Sequence, residues 1–307
     1  MKETFGQKTR RSHKRNQRVV MFWCAFVFAF VIAGVWLFRG TLFQNDSGAS
    51  SSGTNQSRHA ACGTADSRQK STDVTQAPMD HEVCQKLQDL VSQDQRVQQV
   101  IDNCEIYPED ILKMLSRNLD MLNFVLEYPE KVGQVFAETV GEVEGGEVPL
   151  LLQYDQRWGY GDYGNSSVAV SGCGPACLSM VITSLTGDDT ITPYVVAQYA
   201  SEQGYYVPGA GTAWTLMSEG AKHFGVIGEE LPLTKSIMEG VLKEGRPIIC
   251  SMRPGDFTTT GHFIVITGIK DGQFTVNDPN STERSNMLWD YDTLKPQISN
   301  LWAFQAL

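Results

Sequence analysis

The stretch VAVSGCGPACLSMVITSLTG, residues 168–187, sets two cysteines four positions apart where a glycine-rich turn runs into a helix. The pattern predicts that the helix begins at Cys173. Pro175 fits the first turn, where its missing N–H would have no intrahelical partner. Leu178, Val181, Ile182 and Leu185 supply an apolar face, and Gly187 suits the left-handed conformation that closes many helices. Cys173 then stands at the positive end of the helix, where backbone N–H groups favour a thiolate. Gly172 and Gly174 leave room for a substrate backbone, and the amide of Cys173 becomes a candidate oxyanion donor. Cys177, one turn further in beside Leu178 and Val181, reads as a small core residue.

A thiolate needs a base. The histidines are His13, His59, His81, His223 and His262, and only the last two fall in the C-terminal half. His223, in SEGAKHFGV, sits near the end of an amphipathic segment, where a helix C-terminus favours an imidazolium with no further duty. His262 follows Gly261 and opens the strand HFIVITGI, and the next strand, QFTVNDPN, carries Asp278. Register tests the pair. A hairpin turning on Asp271 and Gly272 alone would set residue 278 opposite 265, on the face away from His262. A three-residue loop, Lys270 to Gly272, sets it opposite 264 and on the histidine's face, so the longer loop is expected.

Working outward, residues 79–147 show apolar positions three and four apart: Val83, Leu87, Leu90 and Val91, then Val97, Val100 and Ile101, then Ile111 to Leu126. This predicts a small segment of three or four helices, stopped at Pro129. Cys84 and Cys104 fall near opposite ends of a candidate antiparallel pair, leaving a disulfide and two buried thiols both open. From residue 148 to 307 the chain turns glycine- and aromatic-rich, with strand patterns at RPIICSM, HFIVITGI and QFTVND. Helices first and sheet later predict an α+β fold. PGAGTAW, Pro208 to Trp214, lacks a dinucleotide-binding pattern and reads as a loop lining a cleft, with Gly211 at its centre.

Ahead of all this, residues 19–38 are 20 positions without a charge, long enough as a helix to cross a hydrocarbon core of about 30 Å. Residues 1–18 hold seven lysines and arginines against Glu3. The charge bias predicts a cytoplasmic tail, a single transmembrane helix and an extracytoplasmic remainder anchored in the cell membrane. The alternative, a cleaved signal peptide, is disfavoured by the length of the apolar run and by FRGTLFQND, which has no small-x-small cleavage pattern. Residues 39–78, rich in Ser, Gly, Thr and Gln, predict a flexible linker. The basic tail leaves a net charge of −16 on the rest, which argues against nucleic acid as a partner. Seven cysteines without a CxxC pair give no zinc pattern, and no metal or other cofactor is expected.

SGCGPACLSM, TTGHFIVITGI and VNDPN, in that order and behind QYDQRWG, resemble the papain-like cysteine peptidases related to the bacteriocin-processing, C39-like peptidases. The resemblance spans about residues 148–307. It implies a papain-like fold, with the nucleophile's helix packed on an antiparallel sheet, and a nucleophile at Cys173, a base at His262 and an orienting carboxylate at Asp278. Many of these peptidases carry an oxyanion glutamine a few residues before the cysteine, but here Ser167 stands six positions upstream. Gln153 resembles the glutamine of the broader family's Gln-x-Asp-x-x-Trp motif and takes the oxyanion role, with structural packing as the alternative for it and Trp158. Trp158 joins Gly172, Gly174, Gly211 and Gly261 as a candidate lining the cleft.

The expected activity is hydrolysis of a peptide or protein substrate through an acyl-thioester. The alternatives are an inactive peptide- or wall-binding module on the same fold, and a wall-peptide amidase or acyltransferase. Subsite residues scattered over loops leave the substrate's identity and the oligomeric state open.

Overall fold

Apolar residues at helical spacing fold the first part of the described residues into four short α-helices: α1 (His81–Val91), α2 (Val97–Asp102), α3 (Glu109–Leu115) and α4 (Leu122–Lys131). The computed structural model describes residues 80–307, so the expected basic tail, transmembrane helix and linker lie outside the described residues. Among the described residues no helix is long and apolar enough to cross a membrane. Asp80 caps α1 by accepting from the Glu82 N–H at 2.8 Å. Pro129 does not stop α4, which runs on to Lys131. A proline in the last turn removes one N–H, and the Val132 N–H still closes the end on the Tyr128 carbonyl.

The helices bury Leu87, Val97, Val100, Ile111, Leu115 and Phe124 in one core. That core takes in Tyr154, Tyr160 and Ala169 from further along the chain. The Phe124 and Tyr160 rings stack 4.3 Å apart at 12°, and the Tyr160 hydroxyl donates to the Phe124 carbonyl at 3.2 Å. The helical segment is therefore held by buried aromatic area, the most effective kind of apolar burial per residue.

Next comes α5 (Cys173–Thr186), entered through the short helix Val168–Ser171 and closed by Gly187 at φ 73°. Helix α6 (Pro193–Glu202) packs beside it. Six strands form an antiparallel sheet: β1 (Val226–Glu230), β2 (Ile248–Met252), β3 (His262–Lys270), β4 (Gln273–Asn277), β5 (Leu288–Trp289) and β6 (Ile298–Ala306), in the order β1-β6-β2-β3-β4-β5. One sheet face, with Ile249, Phe263, Val265, Trp302 and Phe304, shares a core with Leu178, Val181 and Ile182 of α5. The other, with Ile248, Cys250, Ile264, Ile266 and Leu301, packs on Met238 of α7 (Lys235–Lys243). Both faces are covered, which is why β2 is buried at every position and shows no polar alternation.

The β3–β4 hairpin reaches its register by a route other than the expected one. Its loop is two residues, Asp271 at φ 53° and Gly272 at φ 79°, with Lys270 opposite Gln273. Both central residues sit in the left-handed region, as the favoured tight hairpin turn demands. The missing offset comes from a β-bulge at Thr267: Gly268 pairs with Thr275, but Ile266 pairs with Val276 and Val265 with Asn277. A bulge adds one residue to one strand, so residue 278 falls opposite 264, as the longer loop would have set it. Asp278 thus reaches the histidine's face, and the bulge takes the place of the third loop residue.

Candidate active site

Cys173 is the first residue of α5, half-buried at the mouth of a cavity of about 660 Å³ that His262 and Gln153 also line. The N–H groups of a first helical turn have no intrahelical acceptors, and Pro175 brings none to compete. Gly172 ends the short preceding helix and caps α5, its own N–H held by the Val168 carbonyl. The change of direction at this cap delivers the Cys173 side chain to the cavity while Cys177, one turn on, is fully buried among Leu178 and Val181.

His262 opens β3 at 7% exposure, and its Nε2 lies 2.7 Å from Oδ1 of Asp278, which is fully buried. With Nε2 donating to the carboxylate, Nδ1 is the ring nitrogen left for the thiol. Burial works against charge on this ring. Asp278, by charge and hydrogen bond, together with a hydrogen bond and charge from Cys173, outweighs it and raises the His262 pKa to about 10. Burial likewise tends to raise Asp278, but His262 and Arg284 together hold its carboxyl below the ordinary range. Burial pushes the Cys177 thiol well up, and Cys250 in the second core likewise, so neither is a nucleophile near neutral pH.

Asp278 is fixed on every side. Oδ1 also accepts the Asn280 N–H at 2.8 Å, Oδ2 accepts Arg284 Nε at 2.6 Å, and the Asp278 N–H donates to Ser285 Oγ at 2.9 Å. Arg284 and Ser285 belong to the short helix α8 (Thr282–Ser285), capped by Ser281 through the Arg284 N–H at 3.1 Å. Neither Arg284 nor Ser285 stood out in the sequence. A cation six residues past a carboxylate is an ordinary surface pattern, and only the turn at Asp278–Ser281 brings it back.

Gln153 is 3% exposed, lines the same cavity, and is tied to the Asp278 loop by its N–H donating to the Pro279 carbonyl at 2.7 Å. Its Nε2 donates one hydrogen to the Ala169 carbonyl at 2.6 Å, leaving a second. Of the candidate cleft residues only Gly261 joins Gln153, Cys173 and His262 on the cavity lining. Trp158 is fully buried, donates to the Leu152 carbonyl at 2.8 Å and carries the Arg157 guanidinium over its ring; it is a packing residue. Gly174 faces Thr212, whose side chain would lie 2.7 Å from an added Cβ, so its smallness serves the helix's approach to that residue and not a substrate's. Gly172 is closed off by the Val168 carbonyl, 2.4 Å from an added Cβ. Gly211 pairs with Val207 in a two-residue ladder, where an added Cβ would lie 3.5 Å from the Ser171 carbonyl, and it does not line the cavity. His223 is exposed, stacked 4.2 Å from Tyr199, and does not line the cavity.

The model of the Peptidase_C39 like family matches residues 146–305, just over half of the chain. The chain belongs to that family. A solved structure of a C39-like peptidase from Bacillus anthracis is similar to it over 52% of this chain and 94% of that one, at 12% identity and a TM-score of 0.31. No curated protein matches the chain. Cys173, His262 and Asp278 all fall inside the family's span, and so does Gln153, whereas α1 to α4 precede it.

Proposed function

We propose that this C39-like peptidase is a cysteine peptidase in which Cys173, His262 and Asp278 act as nucleophile, base and orienting carboxylate. The observation that carries the reading is the buried His262–Asp278 pair opening onto the same cavity as a cysteine at a helix N-terminus. The His262 imidazolium and the first turn of α5 favour the Cys173 thiolate. The thiolate attacks the scissile carbonyl carbon, and the C–N bond breaks as the amine takes the proton from Nδ1 of His262. Water, deprotonated by the same nitrogen, then attacks the thioester and releases the acid and the thiol. The Cys173 N–H and the uncommitted Gln153 hydrogen supply the oxyanion donors. Asp278 holds the imidazole in one tautomer and balances its charge.

The proposal extends to location. The 20 uncharged residues behind a basic tail anchor the protein in a cell membrane with its catalytic domain extracytoplasmic. Iodoacetamide at near-neutral pH is expected to label Cys173 and leave Cys177 and Cys250 untouched. Incubation with peptide and muropeptide substrates, with and without Cys173→Ala, reads the reaction. Peptide products absent in the variant support the peptidase, products from muropeptides alone turn the assignment to an amidase, and unlabelled Cys173 with no product overturns it. Membrane fractionation of the full chain, followed by external protease, tests the anchor and its orientation.

A further inference from the structure

Helices α1 to α4 lie outside the family's span, yet α1, α3 and the turn that joins α3 to α4 build one wall of the catalytic cavity. Leu90, Met114, Arg117 and Leu119 line it together with Cys173 and His262. The wall is fastened to the loops that carry the catalytic side chains. Asn118 Nδ2 donates to the Asn280 carbonyl at 2.8 Å, two residues past Asp278. The Thr282 hydroxyl donates to the Asp120 carboxylate. Behind these polar ties stands the shared aromatic core of Phe124 and Tyr160. A segment so held is neither a spacer nor a removable plug.

The three aliphatic side chains are half-buried, packed on the helical core from one side and open to the cavity on the other. Phe257, from the loop before His262, lines the cavity as well. Most other lining residues are polar, so these apolar side chains are the feature that distinguishes one substrate residue from another.

Resting on the peptidase reading above, we propose that the helical segment supplies a specificity subsite for a large apolar side chain of the peptide substrate. Leu90, Met114 and Leu119 receive that side chain while the scissile bond lies at Cys173. Burying one such side chain is worth about tenfold or more in preference over a charged one.

The test is made in the full chain with Leu119→Glu and Met114→Glu, with Leu119→Gln and Met114→Gln where the charged variants do not fold. Peptides varied among Leu, Ala, Asp and Lys at each position are compared by kcat/KM. The same peptides are titrated by fluorescence anisotropy against each wall variant in a Cys173→Ala background. The wild-type chain is expected to prefer Leu at one position. The glutamate variants lose about tenfold of that preference and shift it toward Lys. An unaltered preference, or an equal loss for every peptide, overturns the inference. Should the wild-type chain cleave no peptide, the peptidase reading fails, and the binding series still decides whether this wall selects an apolar side chain.

Discussion

Two turns of one helix carry the two cysteines, and they differ in almost every physical respect. The first turn of α5 lies at a cavity, at the positive end of a helix and beside an imidazole charged at neutral pH. The second is sealed between the sheet and α6, where burial keeps the Cys177 thiol neutral. Four residues of sequence separation, about 6 Å of helix, divide a reactive environment from an inert one. On the proposed reading, the same side chain is a nucleophile or a filler according to the groups that surround it.

The contrast is broken most decisively at Cys173. Cys173→Ala is expected to lower kcat by about 10⁶-fold, as removal of a nucleophile does, while Cys177→Ala leaves kcat within about twofold; comparable losses in both would refute the division. Asp278→Asn, which leaves the ring without its charged partner, is expected to reduce kcat/KM by about 10²- to 10⁴-fold. It also lowers the His262 pKa, so the alkaline limb of the pH–rate profile, expected near the His262 value of about 10, moves to lower pH. Arg284→Ala removes a charge-assisted hydrogen bond from Asp278 and is expected to cost about tenfold in kcat. Its signature is a higher Asp278 pKa and an acid limb displaced upward, with partial recovery in Arg284→Lys. The smallest effect is in the second turn: Cys177→Ala is expected to cost about 1 kcal/mol of stability, read by urea unfolding.

Stability against pH sharpens the same picture. The raised His262 pKa contributes stability that is complete below the ordinary value of 6.5 and is lost as pH rises through about 10. The depressed Asp278 pKa contributes stability present above the ordinary value of 3.8 and lost as pH falls through the folded-state value. The stability difference between the parent and a His262→Ala, Asp278→Asn double variant is therefore expected to be largest between about pH 4 and 6.5, with thermal unfolding across that range as the measurement.

Short-range pattern carried much of this in advance. The start of α5 at Cys173 and its close at Gly187 were legible because caps and apolar spacing are local. The strands HFIVITGI and QFTVND were legible by their β-branched and aromatic content. The face shared by His262 and Asp278 was legible as a requirement, though not its means. Nothing local distinguishes a three-residue loop from a tight turn with a bulge at Thr267, because both give one residue of offset. Trp158 was left between cleft and packing, and Gly174 was read as room for a substrate, because local sequence reports that a residue is constrained, not whether a substrate or the protein's own interior constrains it.

The order of elements, the helix that presents Cys173 and the residue types able to do acyl transfer were determined by the sequence alone, since each depends on neighbours a few positions away. Three things were decided only in three dimensions. Arg284 closes on Asp278 because a turn folds the chain back on itself, Gln153 meets the cavity through a bond to Pro279, and α1 to α4 become a wall because Phe124 finds Tyr160. Each joins residues that are apart along the chain, and their meeting is set by what the whole fold can bury at once.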